Sequence, residues 1–252
     1  MSTLLAPSWS LQSTTELAKV FVRIYARPSL TLARLSSRVR ASADLARIDN
    51  LRREVAPALA VEPTGAAKYA NYRYWIPFNV ARIGALALHK EPPLRILDIG
   101  CGPGYFLAAA RACGHDCCGV DAPPGILTKV ERRVYSELLA AMHCSAFVSS
   151  LFIERFVPMR NAPADLDLIT AFWVCFNRHR QADEWGVSEW QFFVEDALLH
   201  LQKGGLLHLE INENPKRYAS LRWYDRATLD YFVSIGTVDG GVVRIRKVKG
   251  QP

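Results

Sequence analysis

No apolar run in this 252-residue chain reaches the ~18 residues that a membrane-spanning helix needs. The opening Met-Ser-Thr-Leu-Leu-Ala-Pro lacks a basic start leading into an apolar stretch, so it does not read as a secretory signal. No internal repeat or low-complexity tract is present, which argues against a solenoid or a long disordered region. The six cysteines (Cys101, Cys113, Cys117, Cys118, Cys144 and Cys175) lack the two spaced ligand pairs of a structural zinc site, although Cys113, Cys117 and Cys118 crowd together. They read as reduced thiols in a cytoplasmic core, and no metal is expected.

What is present fits a globular α/β protein. Half of the residues are hydrophobic and the mean hydropathy is +0.03. The length suits one large α/β domain or two small ones. The net charge is +7, and residues 1–60 hold nine Lys or Arg against four acids. A basic flank of this kind can meet nucleic acid, an anionic membrane surface or an acidic substrate. Its arginines are spread out rather than clustered, which favours a solvated helical face and makes nucleic acid an unfavoured partner.

Residues 1–68 read as a basic helical extension and linker, and 69–252 as the main domain. Leu17, Val20, Phe21 and Ile24 recur at helical spacing. Ser29 is placed to cap a second helix carrying Leu32, Leu35 and Val39, and a third runs from about Ala43 to before Pro57. Each is amphipathic and needs a partner surface: the main domain, a second copy of the chain in a homodimer, or a membrane surface. Residues 57–68 are rich in Pro, Gly and Ala and read as a linker. An aromatic-dense segment, Tyr69 to Asn79, follows, with helical periodicity through Val80, Ile83 and Ala87.

From Leu94 the pattern alternates. Strands are expected near 94–99, 115–120, 148–154, 166–171 and 205–211, and helices near 105–113, 125–142 and 188–202. Lys203-Gly-Gly205 reads as a helix stop, Asp225 as a helix cap and Asp239-Gly240-Gly241 as a hairpin turn before a last strand. This predicts a mostly parallel sheet with helices on both faces and an antiparallel C-terminal hairpin.

The most informative stretch is Leu94-Arg-Ile-Leu-Asp98-Ile-Gly100-Cys101-Gly102-Pro-Gly104-Tyr-Phe106. An apolar strand reaches an acidic residue, three alternating glycines follow, and a helix begins near Tyr105. Glycines at that spacing allow a sharp turn against which a ligand lies flush. The spacing is not the G-x-G-x-x-G of dinucleotide sites. Asp98 would repel a pyrophosphate and would suit a ligand carrying an ammonium group.

This stretch resembles motif I of the class I S-adenosylmethionine-dependent methyltransferases, whose fold is a Rossmann-like seven-stranded sheet. The resemblance implies that Asp98, Gly100, Cys101, Gly102 and Gly104 hold the methionine end of S-adenosylmethionine. It also implies that Asp121, ending the next strand 23 residues later with Ala122 beside it, binds the ribose hydroxyls. For the adenine, Ile153 and Glu154 are the candidates, with Ser149 and Ser150 as alternatives, since the family's Gly-Asp pair is missing there. The run from Asp165 to His179 resembles the fourth motif, and Glu189-Trp190-Gln-Phe-Phe193 lies downstream. Together they look like a bacterial subgroup acting on small molecules, over roughly residues 69–215. By that likeness Ala171 and Phe172 flank the cofactor, Asn177 orients an acceptor and His179 takes its proton. Glu210 and Asn212, after strand five, are further acceptor-side candidates, and Tyr69, Tyr72, Tyr74 and Trp75 are candidates for an aromatic lid over a substrate.

The expected function is methyl transfer from S-adenosylmethionine to an oxygen or nitrogen of a small-molecule acceptor, of sugar or secondary-metabolite type. An RNA or protein methyltransferase is the alternative suggested by the basic N-terminus, though no Asn-Pro-Pro-Tyr-like motif follows strand four. A non-catalytic scaffold retaining the fold is the other.

Overall fold

The computed structural model describes residues 29–61, 65–121, 127–149, 153–174, 185–211, 225–239 and 241–248. Seven strands form one sheet in the order β3-β2-β1-β4-β5-β7-β6. They are β1 (Arg95–Ile99), β2 (Asp116–Val120), β3 (Val148–Ser149), β4 (Leu166–Val174), β5 (Leu201–Ile211), β6 (Thr237–Asp239) and β7 (Val242–Arg246). The pairings β3-β2, β2-β1, β1-β4 and β4-β5 are parallel, and β7 runs antiparallel to both β5 and β6. The sheet, its C-terminal hairpin and the helices on both faces agree with the sequence pattern.

Among the described residues, seven α-helices cover the sheet: α1 (Leu30–Ser42), α2 (Leu45–Val61), α3 (Tyr72–Ala85), α4 (Tyr105–Ala112), α5 (Lys129–Ala141), α6 (Val187–His200) and α7 (Arg226–Ile235). The first five contribute to one apolar cluster, in which Leu35, Val39, Ile48, Leu51, Val55, Ile76, Ile83, Leu107 and Leu138 meet Ile96 and Leu168 of the sheet. α6 and α7 cover the other face, with Trp190, Phe193 and Phe232 against Leu97, Ile99, Ile169, Leu207, Leu209, Val243 and Ile245.

The main domain itself supplies the partner surface for α1 and α2. Arg38 donates to the carbonyl of Ala112 at the end of α4 (2.7 Å), and Arg47 and Glu54 pair with Glu137 and Arg133 of α5. Ser29 accepts from the Leu32 amide, and Asp225 accepts from the Thr228 amide, as their sequence positions predict.

Several expected boundaries change. α2 runs through Pro57 to Val61, into the expected linker, because Ile48, Leu51 and Val55 anchor it in the core. β3 is described over Val148–Ser149, and Ile153 and Glu154 do not continue it. α6 ends at His200, before Lys203-Gly-Gly205; the chain enters β5 at once, and those residues form an irregularity between the Leu201 and Leu206 pairings. Residues 17–24 lie outside the described residues.

Candidate active site

Ligands of open α/β sheets bind beyond the carboxyl ends of the strands, where the order reverses. Here β1 is flanked by β2 and β4, and the loop after β1 is the glycine turn. Gly100, Gly102 and Gly104 have φ of 71°, 50° and 77°. The amides of Gly100 and Cys101 donate to the carbonyl of Val120 (2.7 and 3.0 Å), tying the turn to the end of β2. At Gly104 a side chain is excluded twice, by its left-handed backbone and by Leu139 and Cys144, which lie 2.9 and 3.0 Å from where a Cβ would stand. Gly104 precedes α4, whose first N–H groups face the turn.

Gly119 was not singled out in the sequence. A Cβ there would lie 2.7 Å from the Cys101 sulfur and 2.8 Å from Leu107. Its bareness lets β2 accept the glycine turn at close range. Only the pairing of β2 with β1 reveals this.

Asp98 is 2 % exposed and accepts a 2.7 Å hydrogen bond from the Thr170 hydroxyl on β4. Burial pushes its carboxyl up to about 7; Thr170 and Arg82 oppose that shift, while Asp121 and Glu210 add to it. Asp121, half-buried just after β2, is thus within electrostatic reach of Asp98, and it also acts on Cys101. Asp98 lines the cleft described below, and Asp121 acts on it from the end of β2.

Arg82 of α3 is the main residue that sequence reading missed. Its guanidinium pairs with Glu210 at 2.9 Å, donates to Asn79 at 3.2 Å, and lies 4.1 Å from the Phe172 ring and 4.7 Å from the Trp173 ring. Its buried Nε has no hydrogen-bond partner among the described residues. An arginine on an amphipathic helix reads as solvated, and nothing local announces that it turns inward. Glu210 loses ionisation energy to burial, but Arg82 and His208 outweigh this and hold its carboxyl below the ordinary range. His208 stands 3.6 Å from Glu210, an electrostatic approach longer than a hydrogen bond.

The cleft is lined by Asp98, Gly100, Cys101 and Gly102, by Tyr69, Trp75 and Arg82, and by Tyr105, Phe106, Phe172 and Trp173, among others. Its volume is about 140 Å³, below the ~300–1,000 Å³ of a typical small-molecule site. The Tyr105 hydroxyl donates to the Tyr69 carbonyl (2.7 Å), and the Trp75 indole donates to the Lys68 carbonyl (2.8 Å), which fixes the aromatic wall.

Trp173 is present because β4 is irregular. Alternation would send it to the opposite face from Phe172. Its φ of 51° and the register shift between Phe172 and Val174 turn it instead to the same side, so that both rings flank Arg82.

Other expected residues fall elsewhere. Ala171 is fully buried on the opposite face, as alternation from Thr170 requires. Ile153 packs against that same second cluster, and Glu154 is exposed in a turn paired with Val157; neither lines the cleft, and neither belongs to a strand of the sheet. Tyr72 lines neither the cleft nor the pocket beside it, whereas Tyr74 and Trp75 do line that second pocket. Ala122, Ser150, Asn177, His179 and Asn212 lie outside the described residues. Cys117 and Cys118 point to opposite faces of β2. Among the described residues no group of three His, Cys, Asp or Glu is arranged to hold a metal ion, and no helix is long and apolar enough to cross a membrane.

Comparison with known proteins adds a family. A search of curated proteins finds no match. Solved structures of similar fold include an amino pentose methyltransferase, CalS10 of Micromonospora echinaspora (22% identity over 61% of this chain and 59% of that one, TM-score 0.41). DesVI of Streptomyces venezuelae (17%, 58% and 54%, 0.39) and a SAM-dependent methyltransferase of Thiobacillus denitrificans (21%, 53% and 47%, 0.34) are also similar. The chain spans about half the length of these structures, and at such TM-scores none of them bears on the reading of the site. The family model described as "Methyltransferase domain" matches residues 69–223, more than half of the sequence. The chain therefore belongs to the methyltransferase domain family, in agreement with its resemblance to the class I S-adenosylmethionine-dependent enzymes.

Proposed function

We propose that this protein transfers a methyl group from S-adenosylmethionine to an oxygen or nitrogen of a small-molecule acceptor. The observation that carries this reading is the buried Asp98 carboxylate beside a turn free of side chains, with the Arg82 guanidinium across the same cleft. An amino-acid zwitterion needs that pair of opposite charges. Asp98 would take its ammonium group, which also relieves the cost of a buried carboxylate, and Arg82, whose buried Nε has no hydrogen-bond partner among the described residues, would take its carboxylate. Gly100, Cys101, Gly102 and Gly104 would hold the same end through their backbone. Asp121 would accept from the two ribose hydroxyls.

When bound, the cofactor supplies an activated methyl on a positively charged sulfur, so the protein's main work is positioning. Phe106, Phe172, Trp75 and Trp173 wall the cleft and keep water out of it. Glu210 is committed to Arg82, which suits it to fixing that guanidinium rather than to accepting a proton. His179 as proton acceptor and Asn177 as orienting group remain proposals from the sequence. The arginines of α1 and α2 that bind α4 and α5 are not free for nucleic acid, which favours the small-molecule acceptor over the RNA alternative.

Calorimetry with S-adenosylhomocysteine tests the reading. The wild-type chain should bind, and Asp121→Ala should weaken binding by ~1–3 kcal/mol, the scale of a lost charged hydrogen bond. No binding at millimolar ligand would exclude the function, and unchanged affinity would remove Asp121 from the site.

A further inference from the structure

A second pocket adjoins the cofactor cleft. Its walls are Arg52 of α2, Lys68 before α3, Tyr74 and Trp75 of α3, and Trp173 at the end of β4. Lys68, Trp75 and Trp173 line both spaces, so the two adjoin. We propose that this pocket is the acceptor site and that the acceptor is a flat, aromatic carboxylate. The proposal rests on the methyltransferase reading above and specifies its substrate class.

Three features carry it. The first is charge. Among the described residues, the ionisable groups lining the pocket besides Tyr74 are Arg52 and Lys68, both cationic, and none is an acid. Arg52 has no ion-pair partner among the described residues, whereas its neighbours on α2 and α5 pair with one another. A guanidinium offers a fork of donors that matches a carboxylate.

The second is shape. Tyr74 and Trp75 meet edge to face, with ring centroids 5.0 Å apart at 84°, and so form a right-angled aromatic corner. Trp173 closes it from the sheet side. Flat rings with polarisable faces are what such walls take best.

The third is the backbone of Trp173. A bulky residue at φ 51° is uncommon and has to be held there by its surroundings. The conformation brings the indole out of the apolar layer occupied by Ala171 and into the lining that the two pockets share.

α2 thereby acquires a role beyond packing. It brings Arg52 to the rim from the segment preceding the family's domain, which begins at Tyr69. The methyltransferase domain alone would hold a cofactor, and α2 would select what is methylated.

The test uses the full chain and calorimetry in two stages. S-adenosylhomocysteine is titrated first. Then, with it present, 4-hydroxybenzoate and 6-hydroxy-2-naphthoate are each compared with the corresponding neutral amide. The acids should bind at least ~10-fold more tightly than the amides, an advantage of the size a charged hydrogen bond gives. Arg52→Ala should abolish that preference while leaving affinity for S-adenosylhomocysteine within about twofold, and Arg52→Lys should keep part of it. Arg52 is exposed on its helix, so folding is not at stake. A chain that binds S-adenosylhomocysteine but prefers no acid over its amide, or binds neither, overturns the proposal. So does an acid preference that survives Arg52→Ala. Failure to bind S-adenosylhomocysteine at all would instead remove the methyltransferase reading on which it rests.

Discussion

The two faces of this sheet are built from the same strands and do different work. On one face, Leu97 and Ile99, Ile169 and Ala171, Leu207 and Leu209, and Val243 and Ile245 lie side by side, all apolar, beneath α6 and α7. On the other, the residues one step along each strand are Asp98, Thr170, His208 and Arg244, in register across four neighbouring strands. Asp98, Thr170 and His208 are all buried. This face carries an apolar cluster too, around Ile96, Leu168 and Phe172, but interrupts it with a row of buried polar groups, and it is the face that α3 roofs with Arg82. The two-residue period of a strand thus keeps the polar row off the face under α6 and α7.

Substitutions on either side break or sharpen this contrast. The largest effect is expected on the apolar face. Trp190 is 1 % exposed and touches Trp185, Phe193 and Phe232. Trp190→Ala should cost ~3–5 kcal/mol of stability, read by thermal or denaturant unfolding, while the chain that remains folded binds S-adenosylhomocysteine normally. An affinity loss as large as the stability loss would mean that the two faces are not independent.

The polar face should answer in the opposite way. Asp98→Asn keeps a partner for Thr170 but removes the charge. It should weaken S-adenosylhomocysteine binding by ~1.5–3 kcal/mol, the scale for a hydrogen bond to a charged group, and leave the melting temperature unchanged or higher at pH 8, where wild type carries a buried carboxylate. Equal affinity in the variant would dissociate Asp98 from the ligand. Gly119→Ala belongs between the two, since it drives a methyl into Cys101 and Leu107. A cost of ~1–3 kcal/mol is expected from overpacking, accompanied by weaker cofactor binding because the displaced atoms belong to the glycine turn. Full stability with full affinity would show that the turn has slack.

The contrast also explains what was legible in the sequence. The apolar face announces itself, because the strand alternation and the helical periodicity of α6 are visible along the chain. Asp98 and the glycines were legible because a turn needs them contiguous. Arg82 and Trp173 were not. Arg82 becomes part of the site only when α3 crosses the sheet, and it meets Glu210, 128 positions away. Trp173 depends on a bulge whose cause lies in the pairing of β4 with β5. Ala171 was misplaced for the same reason: the motif gives the end of the strand, and the pleat decides which neighbour faces the ligand. Ile153 and Glu154 depend on a strand expected to reach 154, and neither residue belongs to a strand of the sheet.

The smallest effect is a pH dependence, and it distinguishes the two uses of Asp98. In the folded chain its carboxyl titrates near 7, above the ordinary 3.8 of the unfolded one. The folded state therefore holds the proton more tightly. Its contribution to stability is complete below pH 4, declines as the pH rises, and is gone above 7. Binding of an ammonium group has the reverse sign, because it requires the carboxylate, and a proton must leave before the ligand is held. Affinity for S-adenosylhomocysteine should fall roughly eightfold between pH 7.5 and 6.0, as expected for one proton released on binding by a group titrating near 7. Over the same interval the melting temperature should rise. Asp98→Asn should flatten both profiles, with the affinity loss already present at the higher pH. If wild type and variant instead share one affinity profile, the titrating group lies elsewhere, and the polar face binds its ligand without calling on the charge buried at its centre.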